Sequence, residues 1–342
     1  NLASGTTHVV RLKIPDEGMT TFFDDIRGEI SYPNKDLDDQ VLMKSDGFPT
    51  YHMAVVVDDH EMQVTHVIRG EEWISSTPKH IILYKAFGWD IPNHAHLPLL
   101  LNADRSKLSK RQGDVAVLDY TKKSYLPEAM NNFVAFLGWN PGTEQELFAL
   151  DELVRNFSLE KVSKSGAFFN VEKLDWYNRE YLKLKSDNEV ARALLEYVPE
   201  VCAVPGFSND MFEKIVPAIR ERIAKYTDLA EMIANNDIQF FFAPPVYEEE
   251  LLIPKKSTPE ITKQHLETLV SMLQPVTTWN KDSIKDAVWD YATEKGRGEV
   301  LWPMRVALSG LEKSPDPFSI ADIVGKEETI SRITYALSTL SI

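Results

Sequence analysis

Val64-Thr65-His66-Val67-Ile68-Arg69-Gly70-Glu71-Glu72-Trp73 is the stretch whose reading decides the fold. A β-branched, apolar run of strand length ends abruptly in an arginine, a glycine and two glutamates, which predicts a buried strand with a polar carboxyl end. The helix that follows is fully punctuated. Thr77 reads as its N-cap, Pro78 as its first residue, Leu83, Ala86 and Phe87 as one face, and Gly88 as its stop. A further apolar segment runs from Leu97 to Leu101. Upstream, Met53-Ala54-Val55-Val56-Val57, closed by Asp58-Asp59, reads as another strand, and His8 to Ile14 alternates like a strand of a sheet already under way. Strand, polar strand end, helix and strand resemble an α/β nucleotide-binding layout, in which ligands sit beyond the carboxyl ends of the strands.

From Pro127 the pattern turns helical. Ala129–Leu137, Leu150–Phe157 and Glu172–Leu184 read as helices. After Asp187 the stripes are clearer: Ile215, Ile219, Ile223 and Tyr226; Leu266, Leu269, Val270 and Leu273; Ile284, Ala287, Val288 and Tyr291. These place a domain boundary near Asp187 and a subdomain break near 250.

A chain of 342 residues is expected to hold two or three domains. The single cysteine, Cys202, excludes an internal disulfide and a Cys-based zinc cluster. No apolar run approaches the length of a membrane span. A net charge of −15 argues against nonspecific nucleic-acid binding by the whole surface. It leaves room for a local basic track, and Arg105, Lys107, Lys110, Arg111, Lys122 and Lys123 form one. Asn1-Leu2-Ala3-Ser4-Gly5 does not read as a signal peptide. The expectation is a piece of a longer protein, whose targeting segment would be missing rather than absent.

Several motifs admit two readings. Lys107-Leu108-Ser109-Lys110-Arg111 crowds three cations into a loop. It is either a solvated basic turn or a loop that meets a polyanion such as a nucleotide triphosphate. Tyr51-His52 presents either a hydroxyl and an imidazole to a polar ligand or a Tyr packed on the sheet. Arg69, beside Gly70, suits fork-like binding of a carboxylate, or else pairs with Glu71 or Glu72. His66, His94 and His96 match no metal-ligand spacing and read as polar or packing residues. Ser75 and Ser76 read as capping residues. Trp302-Pro303-Met304-Arg305 offers groups that stack on bases, or a core Trp with Pro303 at a helix start.

The ordered set SDGFPTYHMAVVVDD (Ser45–Asp59), HVIRGEEW (His66–Trp73), STPKH (Ser76–His80), HLPLLLN (His96–Asn102), KLSKRQGD (Lys107–Asp114), YLPEAMNNFVAFLGW (Tyr125–Trp139) and WPMRVALSG (Trp302–Gly310) resembles glutamyl-tRNA synthetase of the bacterial and organellar type. KLSKR looks like this family's version of the second class I signature. The resemblance implies the second half of a Rossmann-like class I synthetase catalytic domain, with the rest of an acceptor-binding insertion (1–103). It further implies a stem-contact domain holding the KLSKR loop (104–186) and a helical anticodon-binding domain (187–342). It implies ligation of L-glutamate to tRNA(Glu) through a glutamyl-adenylate, with ATP as substrate, Mg2+ accompanying it and no protein-bound zinc. A monomer in the bacterial cytosol is expected, with an organellar matrix as the alternative.

Carried over position by position, Lys107, Leu108, Ser109, Lys110 and Arg111 would hold ATP, with Lys107 and Lys110 catalytic. Glu72 and Leu100 would border the nucleotide, Leu100 through its backbone. Tyr51, His52, Met53, Ala54 and Val55 would line the glutamate pocket, and Arg69 would bind a substrate carboxylate. Trp73 would touch the tRNA end or the adenylate; Trp176, Arg222, Trp302, Met304 and Arg305 are candidates on the anticodon side. The family's first signature, a His-Ile-Gly-His-like tetrad, does not occur, and Val55 stands where some members carry Asn. A non-catalytic tRNA-binding fragment or paralogue is the competing reading. The charge argument predicts that Lys110→Ala slows ATP–pyrophosphate exchange roughly a hundredfold or more. Near-normal exchange would remove Lys110 from that role.

Overall fold

The computed structural model of the chain describes residues 6–108 and 116–340. Ser109, Lys110 and Arg111 therefore lie outside the described residues. By internal contacts the chain divides into two units, Asn1–Asp119 with Pro127–Tyr177, and Tyr120–Leu126 with Asn178–Ile342.

The first unit contains β1 (Val10–Arg11), β2 (Met19–Asp24), β3 (Gly28–Pro33), β4 (Val41–Met43), α1 (Tyr51–Glu61), β5 (His66–Gly70), α2 (Thr77–Phe87), β6 (Asn93–Leu97) and β7 (Leu100–Leu101). After α3 (Val117–Lys122) come α4 (Pro127–Ala135), α5 (Leu150–Asn156), β8 (Ala167–Phe168) and α6 (Val171–Lys183). The main sheet has the order β3-β2-β6-β5; β2, β6 and β5 run parallel, and β3 is antiparallel to β2. Strand β2 alternates strictly, burying Thr20, Phe22 and Asp24. Register sets Arg69 opposite His96 and Asp24 opposite His94. With a side-chain period of two, all four side chains share one face at the carboxyl ends of the parallel strands. Helix α2 packs against β2.

Two expectations about this unit are corrected. Met53–Val57 is not a strand but part of α1, entered from an extended Thr50. A short apolar run does not by itself distinguish the two. Helical spacing turns Met53, Val55 and Val56 onto the apolar cluster of Leu12, Ile14, Leu42, Leu83 and Tyr84. Thr77 is the first residue of α2 rather than its cap, Pro78 the second, and the preceding Ser76 makes no side-chain cap. Gly88 does end the helix, in the left-handed conformation at φ 71° that favours glycine. A second apolar cluster gathers Ile26, Ala95, Trp139, Phe148, Leu153 and Val162.

The second unit is helical: α7 (Asp187–Tyr197), α8 (Asn209–Arg220), α9 (Asp228–Ala234), α10 (Gln239–Phe242), α11 (Glu249–Leu252), α12 (Pro259–Leu273), α13 (Lys281–Lys295), α14 (Arg297–Ser309), α15 (Pro317–Val324) and α16 (Lys326–Thr339). Ser186 and Glu189 form a capping box at the start of α7. The stripes read from sequence are the core. Ile215, Ile219, Leu266, Leu269, Leu273, Ile284 and Val288 are all buried. Pro303 sits inside α14, not at a helix start, because the helix begins six residues earlier at Arg297.

Residues 120–126 join this second unit through Asn178. Its buried amide accepts the Leu126 N–H at 2.8 Å and donates to the Ala224 carbonyl at 2.5 Å. Asn178→Leu strands both groups, so we expect a loss of about 1–3 kcal/mol per unpaired group in urea unfolding. Unchanged stability would show that this amide is dispensable.

Candidate functional site

The carboxyl ends of β2, β5 and β6 bring three polar side chains into line. Arg69 donates from Nε to His96 Nε2 (3.2 Å) and from Nη2 to Thr77 Oγ1 (2.8 Å). The Thr77 hydroxyl in turn donates to the Trp73 carbonyl (3.0 Å). On its other side, His96 Nδ1 lies 2.6 Å from Asp24 Oδ2, which also accepts the His96 backbone N–H at 3.0 Å. Asp24 Oδ1 accepts from the backbone of Ile26 (3.0 Å) and Arg27 (2.9 Å). Asp24 and His96 are both fully buried, and Arg69 is half-buried at their edge.

An aromatic wall stands beside the guanidinium. The Trp73 ring centre is 5.6 Å from Arg69 Cζ, and the Tyr51 ring is 4.8 Å from that of Trp73. His52 Nδ1 meets His80 Nε2 at 2.9 Å. Burial, followed by the Arg69 charge, pushes His80 down to about 3 and His94 down to about 4. Burial first also lowers His52 and His96. The guanidinium is thus ringed by neutral imidazoles.

The ion pairs considered for Arg69 are not made. Glu71 pairs with Arg27 and accepts the Leu99 N–H at 3.2 Å, while Glu72 takes Lys107 Nζ at 3.2 Å. Among the described residues no carboxylate lies within ion-pair distance of Arg69. Other arginines contrast with it. Arg222 is paired with Asp237 at 2.8 Å. Arg332 donates to the Phe240 and Leu308 carbonyls and to Glu328.

The structure gathers Tyr51, His52, Arg69 and Trp73 into one cluster. Ala54 is half-buried on α1, and Met53 and Val55 pack against the apolar cluster. It also gathers Glu72, Leu100, Lys107 and Leu108. Lys107 bridges to Leu101, and the Leu108 N–H is donated to the Leu100 carbonyl at 2.9 Å. Trp176 lies on α6 in the first unit, not among the helices of the second, with Lys173 Nζ 3.8 Å above its ring. Arg222 lines a cavity of about 570 Å³ with Lys281, Lys313 and Asp316. Met304 is corrected: it is wholly buried in the helical core and cannot meet a base. Trp302 is half-buried, with its indole N–H donated to the Leu251 carbonyl at 2.8 Å. Arg305 is half-buried, and its Nε has no hydrogen-bond partner among the described residues. Asp24, Thr77, His80 and His96 were missed as site residues. A polar residue ending a buried strand was the one available signal, at Asp24.

Residues 1–176 match the family model described as tRNA synthetases class I (E and Q), catalytic domain, and residues 188–337 match one described as anticodon binding domain. Curated relatives agree along the whole chain. It is 42% identical over 353 residues to a glutamate–tRNA ligase of Chlorobaculum parvum, covering 100% of this chain and 69% of the relative.

The chain belongs to the glutamate–tRNA ligase family.

A ligase of Chloroherpeton thalassium is 44% identical over 347 residues, with 99% and 69% covered. The solved structure of a glutamate tRNA ligase from Elizabethkingia meningosepticum, in complex with its amino acid, superposes with a TM-score of 0.82 at 38% identity, covering 99% of this chain and 70% of that one. The fold of the family, a class I catalytic domain followed by a helical anticodon-binding domain, is the fold of this chain. Among the described residues no helix is long and apolar enough to cross a membrane, and no group of three His, Cys, Asp or Glu is placed to hold a metal.

The histidines of this family member give a pH prediction. His80 and His94 have folded values below the ordinary 6.5, so the unfolded chain binds more protons between 6.5 and about 3 or 4. Stability is complete above pH 6.5 and falls as the pH drops through that window, by about 1.4 kcal/mol per pH unit for each histidine. Urea unfolding between pH 4 and 7 should show the slope, and His94→Gln should make it shallower. A flat profile would rule the buried neutral imidazoles out.

Proposed function

We propose that this chain serves the ATP-dependent ligation of L-glutamate to tRNA(Glu) through a glutamyl-adenylate, and that Arg69 anchors the amino acid. One observation carries this reading: among the described residues, a half-buried guanidinium oriented by His96 and Thr77 has no carboxylate within ion-pair distance, and Asp59 supports its charge only from further off. Leaving such a charge unpaired is costly, and a bound carboxylate removes the cost with two parallel hydrogen bonds. A clamped carboxylate is a poor nucleophile. Arg69 therefore holds the side-chain carboxylate of glutamate, while the α-carboxylate stays free to react. Tyr51 and Trp73 supply the flat wall along which the methylene chain lies.

In the first step an α-carboxylate oxygen attacks the α-phosphate of ATP and pyrophosphate leaves. In the second a ribose hydroxyl of the tRNA 3′ end attacks the acyl carbonyl and AMP leaves. Glu72 and Lys107, paired with each other, and the Leu100–Leu108 hairpin border the nucleotide. Lys110 neutralises the departing pyrophosphate. Mg2+ comes with ATP and screens its phosphates. Residues 104–186 contact the tRNA stem and residues 187–342 the anticodon, where Arg222, Trp302 and Arg305 are the candidates. The protein acts as a monomer in the bacterial cytosol, in keeping with its bacterial relatives.

The test is the glutamate requirement of aminoacylation in the protein that carries this chain. Arg69→Ala should raise the glutamate KM by about two orders of magnitude, as for a buried charge pair broken on one side. The KM for ATP should stay the same. Arg69→Lys should not restore it, since an ammonium lacks the planar fork. An unaltered glutamate KM in Arg69→Ala sinks the assignment.

A further inference from the structure

We propose that Asp24 and His96 are positioning residues that aim Arg69 while leaving its charge unspent. This deepens, and rests on, the reading of Arg69 as the amino-acid anchor. Asp24 anchors the relay. Its Oδ1 is fixed by the N–H groups of Ile26 and Arg27, and its Oδ2 by the N–H of His96, so the carboxylate has no freedom to turn. Oδ2 also accepts from His96 Nδ1 at 2.6 Å, which places the imidazole proton on Nδ1. The lone pair of Nε2 is then the group that faces Arg69 Nε at 3.2 Å. The second contact follows the same logic. Thr77 presents lone pairs to Arg69 Nη2, and its proton goes to the Trp73 carbonyl at 3.0 Å or is shared with His96 Nε2, which lies 3.2 Å from the same hydroxyl.

The acceptors at Nε and Nη2 are therefore neutral, and the Tyr51 side chain adds a further hydrogen bond to the guanidinium. A carboxylate in the place of His96 would orient Arg69 equally well. It would also neutralise the cation and compete with the substrate for it. Setting Asp24 one residue further back fixes the imidazole without cancelling the guanidinium. This is the role a carboxylate plays behind a metal-bound histidine, transferred here to a histidine that serves an arginine.

Two substitutions at His96 separate positioning from mere packing. His96→Gln sets an amide oxygen near the position of Nε2, so the acceptor for Arg69 survives. His96→Asn sets an amide near Nδ1, so the bond to Asp24 survives and the acceptor for Arg69 is lost. We expect His96→Asn to raise the glutamate KM about tenfold or more, with the KM for ATP unchanged and His96→Gln much closer to the parent protein. The tautomer is read directly by long-range proton–nitrogen correlation spectra of the protein labelled at histidine. His96 should carry its proton on Nδ1, and Asp24→Asn should move it to Nε2 while raising the glutamate KM.

Equal effects of Gln and Asn, a parent His96 protonated on Nε2, or an Asp24→Asn protein with changed tautomer and unchanged glutamate KM would each overturn the proposal. If Asp24→Asn does not fold, the His96 pair decides alone. The spectra report the wiring whatever the substrate. An Nδ1–H His96 alongside an Arg69→Ala protein of normal glutamate KM would overturn the substrate reading itself, and the role proposed for the relay with it.

Discussion

A cation held without its own counter-ion organises the first unit. Arg69 sits near the end of the edge strand β5, and the surrounding side chains satisfy its hydrogen bonds without neutralising it. Burial works against its charge, and its charge works against protonation of every imidazole nearby. Burial first, and the Arg69 charge after it, lower all four histidines of the cluster. Arg27, Arg222 and Arg332 do the opposite, since each is tied to a carboxylate.

Parallel register makes that arrangement possible. Arg69 faces His96 because β5 and β6 pair in that register, and Asp24 reaches His96 because β2 pairs with β6 one step away. A slip of one residue in either pairing would send one partner to the opposite face. The apolar half of the work is done by α1 and α2. Val56, Leu83 and Tyr84 bury against Leu12, Ile14 and Leu42, and this fixes the helices that carry Tyr51, His52, Thr77 and His80.

The helical unit follows a different economy. Its core is built from long amphipathic stripes, and most of its buried polar groups are committed to backbone. Arg332 spans the Phe240 and Leu308 carbonyls, Trp302 binds the Leu251 carbonyl, and Asn178 holds two further backbone groups.

The sequence alone determined the strand that ends at Arg69, the stop of α2 at Gly88, the helical stripes after Asp187 and the family, because each depends on neighbours close along the chain. Through the resemblance it assigned Tyr51 and Arg69 to the amino acid, and Glu72 and Lys107 to the nucleotide. Tertiary structure decided the rest. Met53–Val57 became a helix because packing, not pattern, settles a five-residue apolar run. Met304 left the surface because α14 turns that position into the core. Asp24 and His96 gained their role from a contact across 72 residues. No local periodicity encodes such a contact, since it exists only once the strands are paired and water is excluded from between them.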